Sequence, residues 1–119
     1  MLEVRESRYG RGVFATKDIR QGELFHEAPV IECPDDQYIR LKKTALRNYY
    51  FNWYEGVAIA LGFGSLFNHS YKPNARFKNN YKTQSVDFYA HKNIKAGEEI
   101  FVNYNGDPDD QGSLWFDAD

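Results

Sequence analysis

A chain of 119 residues has room for one domain and one core, not for a conventional two-domain enzyme. Its 15 basic and 17 acidic residues give a net charge of −2, which sets up no basic field for nucleic acid. One cysteine, Cys33, excludes an intramolecular disulfide and fits a reducing, intracellular compartment. The longest apolar stretch, residues 57–67, contains two glycines and is too short to span a bilayer. Glu3, Arg5, Glu6 and Arg8 do not read as a signal peptide, so a soluble protein is expected.

Short strands and turns dominate the pattern. Leu2-Glu3-Val4-Arg5 alternates as a first strand, Tyr9–Gly12 reads as a turn, and Val13–Thr16 as a second strand. After a turn at Ile19–Glu23, strands are expected over Leu24–Glu27 and Val30–Cys33. Pro29 between them argues for an edge strand or a bulge. The spacing of Ile39, Ala45, Leu46 and Tyr49 predicts a helix over about 36–47, with Asp35 or Asp36 available as its cap. Asn48–Trp53 and Val57–Leu61 form a predicted hairpin about Glu55-Gly56. Phe77–Lys78 and Gln84–His91 flank a polar loop at 79–83, and Glu99–Tyr104 is the last strand. The tail, 105–119, is acidic and turn-rich, yet Leu114, Trp115 and Phe116 within it call for a docking surface.

Several local signals have ordinary readings. Gly10-x-Gly12-x-x-Ala15 matches a loose dinucleotide fingerprint, but the residues after Gly12 are strand formers where a helix is required. Asn68-His69-Ser70 is formally a glycosylation sequon inside a stretch that reads as buried. His69 beside Ser70 lacks the turn that exposes a hydrolase nucleophile, which leaves a Ser70 hydrolase far behind. His26, His69 and His91 are scattered without cysteine clusters, so no zinc site is expected, and structural roles suit His26 and His91. Buried polarity at Asn68-His69 is costly without partners, and that makes the segment a candidate site.

Three segments in order carry more weight than any of these alone. They are Tyr9-Gly10-Arg11-Gly12-Val13-Phe14-Ala15, Phe67-Asn68-His69-Ser70-x-x-Pro73-Asn74 and Gly97-Glu98-Glu99-Ile100-x-x-x-Tyr104. Together, with Ala60–Gly64 before the central one, they resemble the SET domain of protein lysine methyltransferases in its minimal, stand-alone form. The resemblance implies one mainly β domain over residues 1–119: the SET (β-clip) fold, with several small sheets, a short helix and a C-terminal pseudoknot. It implies S-adenosyl-L-methionine as cofactor and the ε-amine of a lysine in a histone or other basic protein as acceptor. A non-catalytic peptide-binding module of the same fold is the alternative.

Carried over by position, the resemblance implies that Arg11, Gly12 and Phe14 present backbone to the cofactor, and that Asn68 and His69 hold it. Tyr104 is then the catalytic tyrosine, which also borders the cofactor. Tyr49, 19 residues before Asn68, joins it as a catalytic and channel tyrosine. Phe77 stands where some members carry a tyrosine that limits methylation, and favours more than one methyl. Trp115 or Phe116 covers the adenine, so the tail completes the site. The resemblance gives no reason to expect a metal, nucleic acid or membrane, and it is compatible with a homodimer. The acidic tail residues Asp107, Asp109, Asp110, Asp117 and Asp119 favour a basic peptide.

Overall fold

The computed structural model describes residues 1–114, so Trp115 and Phe116 lie outside the described residues. Nine strands run in chain order: β1 Leu2–Ser7, β2 Gly10–Ala15, β3 Leu24–Cys33, β4 Tyr50–Trp53, β5 Gly56–Ala60, β6 Asn68–His69, β7 Ala75–Asn80, β8 Ser85–Ala90 and β9 Phe101–Val102. One short helix, α1, spans Asp35–Leu41, and a 3₁₀ turn follows at Ala45–Asn48. The strands form a β1–β2 hairpin, a five-stranded sheet in the order β4-β5-β3-β8-β7, and a two-stranded β6–β9 sheet.

The long strand β3 organises the large sheet. Its first half pairs with β8, ending at Pro29↔Ser85, and its second half pairs with β5, beginning at Val30↔Ala60. Pro29 is therefore not on an edge strand, and it does not break β3. It occupies the point where the strand changes partners, so its missing N–H interrupts neither ladder, and its carbonyl still accepts from Leu61 N at 2.8 Å. The bulge lies elsewhere, between Leu24 and His26. β8 is buried at every position but Tyr89, and Phe88 at its centre meets Phe67 with ring centroids 4.6 Å apart.

The predicted helix over 36–47 is two elements. Thr44 divides them: its hydroxyl donates to Leu41 O at 2.8 Å and accepts from Leu46 N at 3.2 Å. It thus closes α1 and caps the 3₁₀ turn with one side chain. Pro34, not an aspartate, stands at the cap position of α1, while Asp35 and Asp36 fill the first turn, where the helix dipole favours them. Neither element buries a residue, so the apolar spacing that suggested a core-facing helix marks a surface instead.

The last predicted strand, Glu99–Tyr104, is also shorter than its pattern. Residues 97–100 run beside β2 through Gly97 N→Ala15 O and Ile100 N→Val13 O, both 2.8 Å. The chain then leaves β2 and pairs in parallel with β6, Asn68 opposite Phe101 and His69 opposite Val102. Asn74 supports that exchange. Its amide donates to Glu99 O at 2.9 Å and its carbonyl oxygen accepts from Phe101 N at 2.8 Å. Asn74→Ala strands both backbone groups, and is expected to cost about 2 kcal/mol and to lower Tm by several degrees in a thermal melt.

Candidate active site

The parallel β6–β9 pair brings the three sequence motifs to one place. Asn68, at the start of β6, donates its amide to Arg11 O at 3.0 Å and to Glu99 Oε2 at 2.8 Å. Ser7 donates to the other Glu99 oxygen at 2.6 Å. The β1–β2 turn, the central segment and the C-terminal segment thus meet on one carboxylate. Gly12 permits the meeting: a Cβ there would run into Glu99 Oε2 and lie 2.8 Å from Asn68 Nδ2. Tyr9 adds an edge-on ring contact to Phe101, with centroids 5.9 Å apart. Phe14 pairs with Glu99 through an isolated antiparallel bridge, and its ring lies under the Arg5 guanidinium at 4.3 Å.

On the other side of the same strand pair, His69 Nδ1 accepts from Tyr104 N at 2.9 Å. Tyr104 in turn donates its hydroxyl to Phe67 O at 2.7 Å. Both ends of Tyr104 are therefore fixed by the segment that contains Asn68. Burial, with the Tyr49 phenol and the Glu99 carboxylate nearby, pushes the Tyr104 phenol up to about 12. It stays a neutral hydrogen-bonding group throughout the neutral range.

Tyr104 borders a cleft of about 600 Å³, a size suited to a side chain or small ligand. Tyr49, Phe51, Phe67 and Phe77 line it with Tyr104, which brings Tyr49, Phe77 and Tyr104 into one lining. Neither Phe51 nor Phe67 is a predicted site residue; the available signals were the aromatic run 49–53 for Phe51 and the start of the central motif for Phe67. Ser65 anchors the Tyr49 end of the wall, its single hydroxyl proton within reach of either Ala60 O at 2.8 Å or Tyr49 O at 3.1 Å. Phe77 meets Phe51 edge-on, with centroids 5.0 Å apart. Residues after Tyr104 fold back locally: Asn103, almost wholly buried, donates to Asp110 O at 2.6 Å and accepts from Asn105 N at 2.9 Å. Tyr71 joins in by donating to Gly112 O at 3.0 Å.

Two histidines couple this site to pH. His26 packs among Phe63, Phe67 and Phe88 and accepts from Phe63 N at 3.2 Å through Nε2. Desolvation lowers the pKa of both His26 and His69, and each ring nitrogen named here must be unprotonated to accept. A lowered folded pKa stabilises the fold fully above the unfolded value of about 6.5 and loses that contribution as pH falls through the folded value. Tm is therefore expected to fall on acidification below about pH 6.5, and His26→Gln should flatten part of that slope in a melt series.

The SET domain family matches residues 10–105. The chain belongs to the SET-domain family, a family of protein-lysine methyltransferases. It is 35% identical over 119 residues to a Schizosaccharomyces pombe histone-lysine N-methyltransferase described as H3 lysine-37 specific, covering 98% of this chain and 77% of that protein. Among solved structures, a Plasmodium falciparum protein described as a histone methyltransferase superposes with a TM-score of 0.70 at 25% identity, covering 96% of this chain and 95% of that one. A chain of the Chaetomium thermophilum Polycomb Repressive Complex 2 superposes at 0.72 with 28% identity. That match covers 87% of this chain but only 15% of the far longer partner. The mainly β architecture seen among the described residues is thus the one that superposes on these structures. No helix among the described residues is long and apolar enough to cross a membrane.

Proposed function

We propose that this protein transfers methyl groups from S-adenosyl-L-methionine to the ε-amine of a lysine in a histone or another protein, with Tyr104 as the catalytic tyrosine. The observation that carries the reading is the fixation of Tyr104 by His69 and Phe67 at the wall of an aromatic cleft, beside the Asn68–Glu99 cluster.

The residues present suit the proposed cofactor. The absence of a side chain at Gly12 lets the Arg11–Gly12 backbone approach a ligand closely, and Asn68 has both amide hydrogens directed to Arg11 and Glu99. That orientation leaves Asn68 Oδ1 as the acceptor for an ammonium group, with the Glu99 carboxylate adding a favourable field for a cation. Phe14 and the backbone of His69 complete the set on this side, with Trp115 or Phe116 as the candidates to cover the adenine. S-adenosylmethionine supplies, when bound, an electrophilic methyl group on a sulfonium.

The chain's own residues then act on the acceptor. Lysine has a reference pKa of about 10.4, so only about one part in a thousand is neutral near pH 7.4. The ring-lined cleft disfavours the ammonium form and helps the proton leave to solvent. Aromatic faces of Tyr49, Phe51 and Phe77 still attract the cationic methylated product. The Tyr104 hydroxyl, its proton directed to Phe67 O, keeps oxygen lone pairs that can orient the amine or accept a weak CH···O contact. Alignment within a rigid channel contributes several kcal/mol, up to about 7–11 in ideal systems.

Purified protein incubated with methyl-labelled S-adenosylmethionine and core histones or a mixed protein extract should place acid-stable label on lysine. Mass spectrometry of the product reports how many methyls are added, with more than one expected at a site that has Phe77. Absence of label on every protein offered overturns the enzymatic reading. Calorimetry with the cofactor then separates a peptide-binding module that retains the ligand from a fold that has lost it.

A further inference from the structure

We infer that the segment of protein entering this cleft carries a carboxylate close to the acceptor lysine, and that Lys42 and Arg47 recognise it. The inference rests on the methyl-transfer reading above and narrows its substrate class. One wall of the cleft is built from the 3₁₀ turn and its flanks, and it brings Lys42 and Arg47 into the lining. The rest of the lining is neutral and includes Ser65, Phe67, Phe77 and the Asn105–Gly106 turn. Among the described residues two cations line the cleft and no carboxylate does.

Both residues sit on backbone whose course is set by local structure. Lys42 follows α1 directly, and its ammonium stands 5.3 Å from the centroid of the Tyr38 ring. Tyr38 is itself fixed to the wall, its hydroxyl accepting from Tyr50 Oη at 3.2 Å. Arg47 sits in the 3₁₀ turn, whose orientation is set by the Thr44 cap. It makes no ion pair among the described residues, where the one ion pair joins Arg5 to Glu3.

Among the described residues, the tail aspartates Asp107, Asp109 and Asp110 stay out of the cleft lining. Asp107 and Asp110 accept the backbone amides of Asp109 and Gly112 at 2.9 and 2.7 Å, and neither lines the cleft. The charge at the cleft thus points the opposite way from the tail composition, which by itself favours a basic peptide. Two cations in the lining also oppose the ammonium form of an incoming lysine, which promotes the neutral amine. A carboxylate one to three residues away compensates their repulsion and holds the segment in register. Exposed pairs are individually weak, so two cations acting on one acidic flank should give about tenfold in affinity.

Three fluorescent peptides test this, sharing one acceptor lysine and flanked by two Asp, two Ser or two Lys. Anisotropy measures binding, and labelled cofactor measures transfer. The Asp-flanked peptide is expected to bind about tenfold tighter than the Lys-flanked one, with the gap closing as salt is raised. Arg47→Glu should reverse the order and Lys42→Glu should shrink the gap. Equal affinities or tighter binding of the Lys-flanked peptide by wild type overturns the inference, and so does an unchanged order in Arg47→Glu. Anisotropy needs no turnover. An Asp preference without methyl transfer therefore upholds the recognition and removes only the enzymatic reading.

Discussion

Tyr104→Phe is expected to lower methyl transfer by about 10²-fold or more while cofactor affinity stays within a few-fold of wild type. The substitution removes one atom and keeps the ring. What is lost is the hydroxyl that donates to Phe67 O at 2.7 Å, on a residue that lines the cleft. The backbone bond from Tyr104 N to His69 Nδ1 is untouched, so the β6–β9 junction should persist. Leaving the Phe67 carbonyl without this donor costs about 1–2 kcal/mol, a modest fall in Tm rather than unfolding. Single-turnover rates and calorimetry on the same preparation separate the two effects. A variant that transfers methyl at the wild-type rate would remove Tyr104 from the chemistry. A variant that loses cofactor affinity as well would make it a structural residue.

The same phenol predicts the shape of the rate profile. With its pKa pushed up to about 12, Tyr104 remains protonated over the whole range in which the acceptor lysine titrates. The rate should therefore climb with pH as the neutral amine becomes more abundant, with no alkaline fall from this residue below about pH 12. On the acid side, loss of the His69 and His26 acceptor bonds adds a second fall tied to stability rather than to the amine. Thermal melts taken at each pH assign that limb.

The mainly β fold class and the grouping of the site segments were legible from the same three motifs. Asn68, His69 and Tyr104 could be placed together because an ordered set of motifs restricts topology, and a family resemblance supplies the long-range pairing that local propensity lacks. The pairing itself is not written in the periodicity: β6 and β9 are two residues each and follow no alternation long enough to read. Glu99 stood inside a motif, but its part as acceptor for both Asn68 and Ser7 becomes visible only when strands distant in sequence are folded together. Pro29 misled for a related reason. Its local chemistry argues for an edge, and only the change of partner from β8 to β5 makes a central position tolerable. Thr44 is the converse case, a local cap inside an apparent helical spacing that becomes visible only in the folded chain. That spacing had no core to face, since Ile39 is 63% exposed and Leu46 42% exposed.

The start of β2 offers the sharpest separation of fold from ligand, because its two glycines, Gly10 and Gly12, are required for different reasons. Gly10 has φ of +99° with nothing within 4 Å of a built Cβ. Gly10→Ala therefore strains the backbone, costing about 1–3 kcal/mol, but leaves the cluster behind it undisturbed. Gly12 carries no such angle. Its Cβ would instead fall on Glu99 Oε2, 2.8 Å from Asn68 Nδ2 and 2.9 Å from Glu99 Cδ. Both neighbours are side-chain ends and can swing away, so Gly12→Ala should fold with about 1–2 kcal/mol lost. Swinging away breaks the Asn68 bonds to Arg11 and Glu99 that orient Oδ1, and the added methyl blocks the approach of backbone to ligand. Cofactor affinity should then drop by more than tenfold in Gly12→Ala and by no more than about twofold in Gly10→Ala, with the larger Tm loss in Gly10→Ala. Calorimetry and melts on the pair read both quantities. Equal affinity losses in the two variants would mean that the turn acts through its rigidity alone. Unchanged affinity in Gly12→Ala would move the cofactor away from the Asn68–Glu99 cluster altogether.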